Sequence, residues 1–195
     1  MNAAISFNGT SEVRREHRFD TANLTHWMTE NVRGFRGPIT VEQFKGGQSN
    51  PTYKVNTPDR AYVVRRKPPG DLLKGAHAVE REAKVLQALE SADFPVPHLH
   101  GMCTDDAVIG TWFYVMDYVH GRVLWDATFP DVSRDERPRY FDAINETLAR
   151  LHSVDYRSYI PQVEDTIWRE FRCQSGGQNA PPARRVAGAT DAANP

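Results

Sequence analysis

The hydrophobic positions of this chain switch between helical and strand spacing. A helix is predicted first, because four apolar residues share one helical face: Leu24, Trp27, Met28 and Val32. Asp20 or Thr21 can cap its start, and Gly34 and Gly37 end it. Three strand-like runs separated by turn-forming residues follow at 39–44, 52–55 and 61–65. The pattern predicts a helix that leads into an antiparallel meander.

A second helix is predicted after Pro68 and Pro69, which cannot continue a strand because proline lacks the backbone N–H. Its apolar stripe is formed by Ala76, Val79, Ala83, Leu86 and Leu89. Two more strands are predicted at 98–102 and 112–118. Ser133 and Glu136 then predict a capping box for a long last helix. The apolar face of that helix holds Phe141, Ile144, Leu148 and Leu151.

Composition narrows the class of protein. The net charge of -1 lacks the basic excess of a nucleic-acid binder, so no nucleic-acid partner is expected. Cys103 and Cys173 fit no metal or redox spacing, which favours a cytoplasmic location. We find neither a signal peptide nor an apolar run of about 18 residues, and we expect no membrane contact. Residues 157–195 are poor in apolar side chains and are expected to form a disordered tail.

A glycine-bearing loop between the first two strands of the meander is the first candidate for chemistry. It consists of Gly46, Gly47, Gln48, Ser49 and Asn50. Glycines there let backbone N–H groups approach a phosphate closely. The same residues also suit an ordinary hairpin turn. The loop alone therefore leaves phosphate binding and a simple turn both open.

Charged residues on the next strand and helix form the second candidate. Arg65 ends a strand and Glu82 lies on the following helix, so an ion pair between them can hold a cation over phosphates. The run Arg65, Arg66 and Lys67 is equally compatible with a solvated strand end.

Two further segments have competing interpretations. Residues 116–121 follow an apolar strand, and their backbone can read an adenine edge or simply turn. His98, His100 and Cys103 suggest a metal site, but strand alternation separates the cysteine from the histidines and disfavours it. Asp105 and Asp106 are expected to be turn and helix-start carboxylates.

The order of these segments resembles the aminoglycoside phosphotransferase family, and especially the kinase-like domain associated with some acyl-CoA dehydrogenases. The similar stretches are residues 46–53, 62–70, 76–82, 94–97, 113–118 and 151–155. The resemblance implies an α+β fold: a protein-kinase-like small lobe with a five-stranded antiparallel sheet and one crossing helix, followed by the first helix of an incomplete large lobe. The corresponding domains are 1–36 (leader and helix), 37–119 (nucleotide-binding lobe), 120–156 (hinge and start of the helical lobe) and 157–195 (tail).

What the family does implies roles for individual residues. Members use ATP, sometimes GTP, with Mg²⁺ to phosphorylate a hydroxyl of a small molecule, and the acceptor is not identified by this chain. By resemblance, residues 46–50 form the phosphate loop, Arg65 is the strand cation and Glu82 is its partner. Met116, Asp117 and Val119 belong to the adenine-facing hinge. Many members have lysine at the position of Arg65, which leaves Arg66 or Lys67 as an alternative cation.

The catalytic half of the family pattern is absent from the sequence. Family members carry a His-Gly-Asp-x-x-x-x-Asn loop and a later metal-binding Asp. The two His-Gly pairs here continue as His100-Gly101-Met102 and His120-Gly121-Arg122. We therefore expect a C-terminally truncated kinase-like chain that is inactive alone. The alternative is a non-catalytic nucleotide-binding or protein-interaction module, with an apolar patch formed by Trp125, Phe129, Trp168 and Phe171.

Overall fold

The computed structural model describes residues 9–46, 49–70, 77–124 and 126–155. Within these ranges the elements follow in the order β1 Thr10–Ser11, α1 Thr21–Asn31, β2 Thr40–Phe44, β3 Thr52–Asn56, β4 Ala61–Arg66, α2 Val79–Ser91, β5 Leu99–Cys103, α3 Asp106–Ile109, β6 Phe113–Asp117 and α4 Arg137–His152. A 3₁₀ turn at Arg15–His17 lies between β1 and α1. The predicted residue Ala76 and the tail 157–195 lie outside the described residues.

One antiparallel sheet organises the described part of the chain. Its strand order is β1-β2-β3-β4-β6-β5, and every neighbouring pair is antiparallel. The predicted α+β class and antiparallel sheet are confirmed, but the predicted count of five strands is wrong, since the sheet has six. The additional strand β1 spans two residues, which is too short to produce a detectable alternation.

Helix α1 begins at the predicted cap and covers one face of the sheet. The Asp20 carboxylate accepts hydrogen bonds from the backbone N–H groups of Ala22 and Asn23, which otherwise lack partners at a helix start. Leu24 and Met28 are completely buried. They share a core with the inward side chains of the strands: Tyr53, Val55, Tyr62, Val64, Phe113 and Val115. The N-terminal helix is thus part of the main hydrophobic core.

The opposite face of the sheet packs against α2. Val79 and Ala83 form a second buried cluster with Tyr114 of β6, and Leu86 lies beside it. These positions belong to the predicted stripe, whose spacing therefore identified the packed face of the helix. The two faces of one sheet are consequently covered by different helices, α1 and α2.

The last described helix starts later than predicted. Ser133 Oγ donates to Glu136 Oε2 at 2.7 Å, but Glu136 itself is the N-cap and the helix begins at Arg137. The capping box at Ser133 is therefore wrong, because Arg134 to Glu136 form a turn and Pro138 occupies the first helical turn, where its missing N–H costs nothing. None of the described helices has the length and apolar character needed to cross a membrane.

Candidate functional site

An open cleft of about 970 Å³ lies where β4, β6 and α2 meet the end of the glycine-bearing loop. It is lined by Ser49, Asn50, Arg65, His77, Ala78, Arg81, Glu82, Val85, Leu86, Pro97, Tyr114 and Met116. Five of the residues predicted from sequence therefore meet in one cavity: Ser49, Asn50, Arg65, Glu82 and Met116.

The predicted ion pair between β4 and α2 is present at the base of this cleft. Arg65 Nε donates to Glu82 Oε2 at 2.6 Å, and Arg65 Nη2 donates to Glu82 Oε1 at 3.3 Å. Arg65 Nη1 donates to the Thr52 hydroxyl at 3.0 Å. These bonds fix the planar guanidinium from two sides and use three of its five N–H groups. Its other two N–H groups have no hydrogen-bond partner among the described residues.

The Glu82 carboxylate is the centre of a larger network. Asn50 Nδ2 donates to its Oε1 at 3.0 Å, and the Tyr114 hydroxyl donates to its Oε2 at 3.1 Å. Burial acts to raise the pKa of Glu82, but the hydrogen bonds and charge of Arg65, helped by Tyr114 and Asn50, hold it below its ordinary value. Glu82 is therefore an ionised acceptor, unsuited to act as a proton donor near neutral pH.

The same network keeps its other members in fixed protonation states. Burial lowers the pKa of Arg65, yet the hydrogen bond and charge of Glu82 outweigh it and raise the pKa overall. Burial and the Glu82 charge both raise the pKa of Tyr114, so its hydroxyl remains a donor. The cleft thus presents a permanent cation held by a permanent anion.

The remaining loop residues are only partly described. Gly47 and Gln48 lie outside the described residues, and Gly46 does not line the cleft. Asn50 is 3% exposed and its side chain faces α2. The end of the loop is therefore attached to the helix through a buried amide.

The two alternative cations, Arg66 and Lys67, are bound to other partners outside the cleft lining. Arg66 is 2% exposed, lies over the Phe19 and Tyr53 rings in the α1-side core, and donates from Nη1 to the carbonyl of Ile109 at 3.0 Å. Lys67 Nζ lies 2.9 Å from Glu80 Oε2 and 4.2 Å from the centroid of the Trp112 ring. Alternation along β4 turns Arg66 to the other face of the sheet, and Lys67 beyond the strand is held by Glu80, so only Arg65 of this run lines the cleft.

The hinge residues differ in what their side chains face. Met116 lines the cleft, whereas the Asp117 carboxylate is taken up by Arg60 Nη2 at 2.6 Å and by the ring nitrogen His100 Nε2 at 2.8 Å. Val119 is 63% exposed. Both contacts fall on Asp117 Oδ1, and the Asp117 N–H donates to the carbonyl of His98 at 2.9 Å, so these two groups are already engaged within the sheet.

The histidines considered as metal ligands have other partners. His98 contacts Glu90 through Nδ1, and the His98 and His100 rings lie 4.7 Å apart. Cys103 is buried in the α1-side core with Phe113. A bulge between Leu99 and Gly101 interrupts the simple alternation assumed from sequence. The described residues contain no group of three or more side chains that could hold a metal ion.

As predicted, Asp105 caps a helix start: it accepts from the N–H of Ala107 at 2.9 Å, ahead of α3.

Sequence reasoning missed three participants: Thr52, His77 and Tyr114. Tyr114 lies opposite Arg65 in the sheet register and on the same face, two residues before Met116. Period-two spacing from Met116 was the available signal for it. Thr52 lies directly opposite Arg65 in the β3–β4 pairing, so the register of this hairpin was the available signal for it. The His77 contact depends on how the loop folds back, and no local spacing reports that.

The predicted apolar patch is not formed as expected. Phe129 is 5% exposed and packs against the rings of Tyr140 and Phe141, so its assignment to an exposed patch is wrong. Trp125, Trp168 and Phe171 lie outside the described residues. The large exposed apolar side chains of α4 are instead Phe141, Ile144, Leu148 and Leu151.

Two known proteins that are similar to this chain carry the same name. Acyl-CoA dehydrogenase family member 11 of Gallus gallus is 50% identical over 154 residues, which cover 77% of this chain and 20% of that protein. The Homo sapiens protein of the same name is 43% identical over 152 residues, covering 76% of this chain and 20% of the relative. The chain thus spans about a fifth of the length of these curated relatives.

A solved structure and a family model agree on the fold. The crystal structure of a protein from Ralstonia eutropha JMP134, provisionally described as an aminoglycoside phosphotransferase, matches with a TM-score of 0.63 and 41% identity, over 83% of this chain and 50% of that one. The model of the phosphotransferase enzyme family, APH, matches residues 40–191, extending beyond the segments that carried the resemblance. The chain belongs to the phosphotransferase enzyme family.

Proposed function

We propose that the cleft binds the phosphates of ATP or GTP and that Arg65 is the cation that contacts them. The observation that carries this proposal is the Arg65–Glu82 pair, which orients a guanidinium toward the cavity. Two of its N–H groups have no partner within the described ranges. A guanidinium in this setting can replace the lysine of other family members, because it donates to phosphate oxygens while still bound to its carboxylate.

The loop and hinge complete the proposed nucleotide site. Backbone N–H groups of residues 46–50 would surround the phosphates. The carbonyl of Asp117 and the backbone of Val119 would meet the base, with Met116 forming an apolar wall. The engagement of the Asp117 carboxylate by Arg60 and His100 supports a backbone role for that residue. We assign its side chain to fixing the start of the hinge.

The described residues do not fit a resident Mg²⁺ ion. Hard cations need several oxygen ligands, and the one carboxylate in the cleft lining, Glu82, already accepts four hydrogen bonds. Any Mg²⁺ would accompany the phosphates of the nucleotide, and no catalytic step is derived through it.

We further propose that these 195 residues bind nucleotide without transferring its phosphoryl group. Transfer to the hydroxyl of a small molecule requires a carboxylate beside the acceptor and groups that neutralise charge on the phosphates. The sequence contains no His-Gly-Asp segment. Of its two His-Gly pairs, His100-Gly101 lies within β5, with the His100 side chain only 8% exposed. That histidine is therefore a structural residue of the sheet.

The test is titration calorimetry of the full chain with Mg-ATP and Mg-GTP, paired with an assay of ADP release. Saturable binding without ADP release is the expected result. Absence of binding would reject the nucleotide site, and sustained turnover would reject the non-catalytic part.

The exposed apolar side chains of α4 favour a second candidate function, a protein-interaction module. Ile144 and Leu148 are 49% and 47% exposed on one helical face. Light scattering over a range of concentrations, with and without nucleotide, tests this alternative. A monomer at every concentration that also binds nucleotide would favour the first proposal.

We propose a cytoplasmic location and no nucleic-acid partner for either function, on the basis of cysteine usage and charge.

A further inference from the structure

His77 has a strained backbone beside the cleft. It lies two residues before the start of α2, is half-buried, and has a φ of +56°. A left-handed conformation costs a residue other than glycine about 1–2 kcal/mol. Such conformations persist where surrounding contacts hold them in place. The contact that holds His77 is therefore informative.

That contact is a hydrogen bond to the buried amide of the loop. His77 Nδ1 lies 2.9 Å from Asn50 Oδ1, and Asn50 Nδ2 lies 3.0 Å from Glu82 Oε1. A continuous chain of contacts thus runs from the residue preceding α2, through the loop, to the carboxylate that holds Arg65.

The ionisation of Glu82 fixes which group donates in each hydrogen bond of this series. Glu82 is ionised and can only accept, so the Asn50 amide must present its NH₂ group to it. The Asn50 carbonyl oxygen is then left facing His77, which means that His77 Nδ1 must carry a proton. One tautomer of the ring is selected by a carboxylate two side chains away.

We propose that His77 is a positioning residue of the nucleotide site, acting through Asn50 on the end of the phosphate loop and on the Arg65–Glu82 pair. This inference rests on the proposed nucleotide function. Without the Nδ1–H donor, the Asn50 oxygen loses its partner, and the amide is held on the α2 side by the Glu82 carboxylate alone. The loop and the guanidinium then lose their fixed geometry before ligand arrives.

Three substitutions separate the hydrogen bond from the backbone strain. His77→Asn keeps a donor at nearly the position of Nδ1 and tolerates the left-handed conformation. His77→Gly relieves the strain but has no donor. His77→Gln moves the donor one bond farther away. All three are compared with the wild type by thermal unfolding, so that only folded variants enter the binding comparison.

The expected result is that His77→Asn binds Mg-ATP like the wild type, while His77→Gly and His77→Gln bind about three- to tenfold more weakly, the equivalent of one hydrogen bond. His77→Gly with wild-type affinity would overturn the proposal. So would equal loss in His77→Asn and His77→Gly.

A second readout does not depend on nucleotide. Long-range ¹H–¹⁵N spectra of the full chain at alkaline pH, where imidazole is neutral, report which ring nitrogen is protonated. We expect the proton on Nδ1 of His77, and its transfer to Nε2 would overturn the assigned contact. If the wild type binds no nucleotide, the proposed function and the role of His77 in it both fail, while this spectrum still decides whether the His77–Asn50 bond exists.

Discussion

Two neighbouring arginines on β4 have opposite environments. Arg65 faces the cleft with a carboxylate partner, and Arg66 faces the α1-side core with aromatic rings and a backbone carbonyl. The pKa of Arg65 is raised overall by Glu82, whereas burial lowers the pKa of Arg66. The same side chain is thus a candidate ligand-binding group at one position and a core component at the next.

This contrast predicts different effects of matched substitutions. Arg65→Met should weaken Mg-ATP binding about 10- to 100-fold, because it removes charged hydrogen bonds to phosphate. Arg66→Met, which replaces a buried arginine by a shorter apolar side chain, should change affinity less than about threefold. Calorimetry on both variants checks this, after circular dichroism has shown that each is folded. An equal loss in Arg66→Met would contradict the assignment of the cation.

The lowered pKa of Glu82 predicts a pH-dependent stability. Folding favours the carboxylate, so the associated stability is fully present above the pKa of glutamate in the unfolded chain, about 4.3. It is lost as the pH falls from there through the lower folded-state value. Glu82→Gln should lower the urea midpoint at neutral pH and flatten its decline between about pH 5 and pH 3. Parallel curves for the two proteins would show that Glu82 is not the group responsible.

At this scale the sequence predicted the ion pair but not its surroundings. Arg65 and Glu82 could be paired because Arg65 lies at the end of a predicted strand and Glu82 lies near the start of the next helix. Thr52 lies opposite Arg65 in the β3–β4 register, whereas the contacts of Asn50 and His77 depend on the path of the loop. Hydrogen bonds across 27 to 32 positions leave no periodic trace in a sequence.

Among the elements, helix α1 contributes its buried side chains to the main hydrophobic core. It precedes the nucleotide-binding lobe outlined from sequence, whose boundaries stay a prediction, yet Leu24 and Met28 are completely buried against the strands. Its caps and apolar spacing were readable from sequence, and so were the spacings of β2 to β6. Strand β1 was not, and of helix α3 only the carboxylate at its start was expected, because elements of two and four residues are too short for a period to show.

Shortening a buried side chain of α1 should therefore destabilise the whole sheet. Leu24→Ala is expected to cost about 2–5 kcal/mol of unfolding free energy, through lost burial and the cavity it leaves. Thr29→Ala, on the exposed face of the same helix, should change it by less than about 0.5 kcal/mol. Urea denaturation followed by circular dichroism measures both. Similar small effects would mean that α1 is not part of the cooperative unit.

At the scale of the whole molecule, the family membership covers a small part of much longer relatives. Both curated relatives compared above carry acyl-CoA dehydrogenase names, but this chain matches only about a fifth of their length. Fold class and family were predictable because several short segments, each weakly diagnostic alone, occur in the same order as in the family. The packing of α4 was not, since its apolar spacing is equally compatible with burial and with the half-exposed face observed.

Because the apolar face of α4 is about half exposed, substitutions on it should have small effects on the free energy of unfolding. Ile144→Gln and Leu148→Gln should each alter the unfolding free energy by less than about 1 kcal/mol, because each side chain is already close to half exposed. Both should reduce binding of a fluorescent apolar dye. A loss as large as that expected for Leu24→Ala would indicate that α4 belongs to the main core.

The contrasting neighbours on β4 also constrain how this strand can vary in evolution. A slip of β4 by one residue against β3 would exchange Arg65 and Arg66, which would put a cation without its carboxylate into the cavity and the paired one into the interior. Insertions and deletions inside the strand should therefore be absent among natural variants that retain ligand binding. Variation in length is expected instead at Thr57 to Arg60, where an added residue can be absorbed outside the ladder.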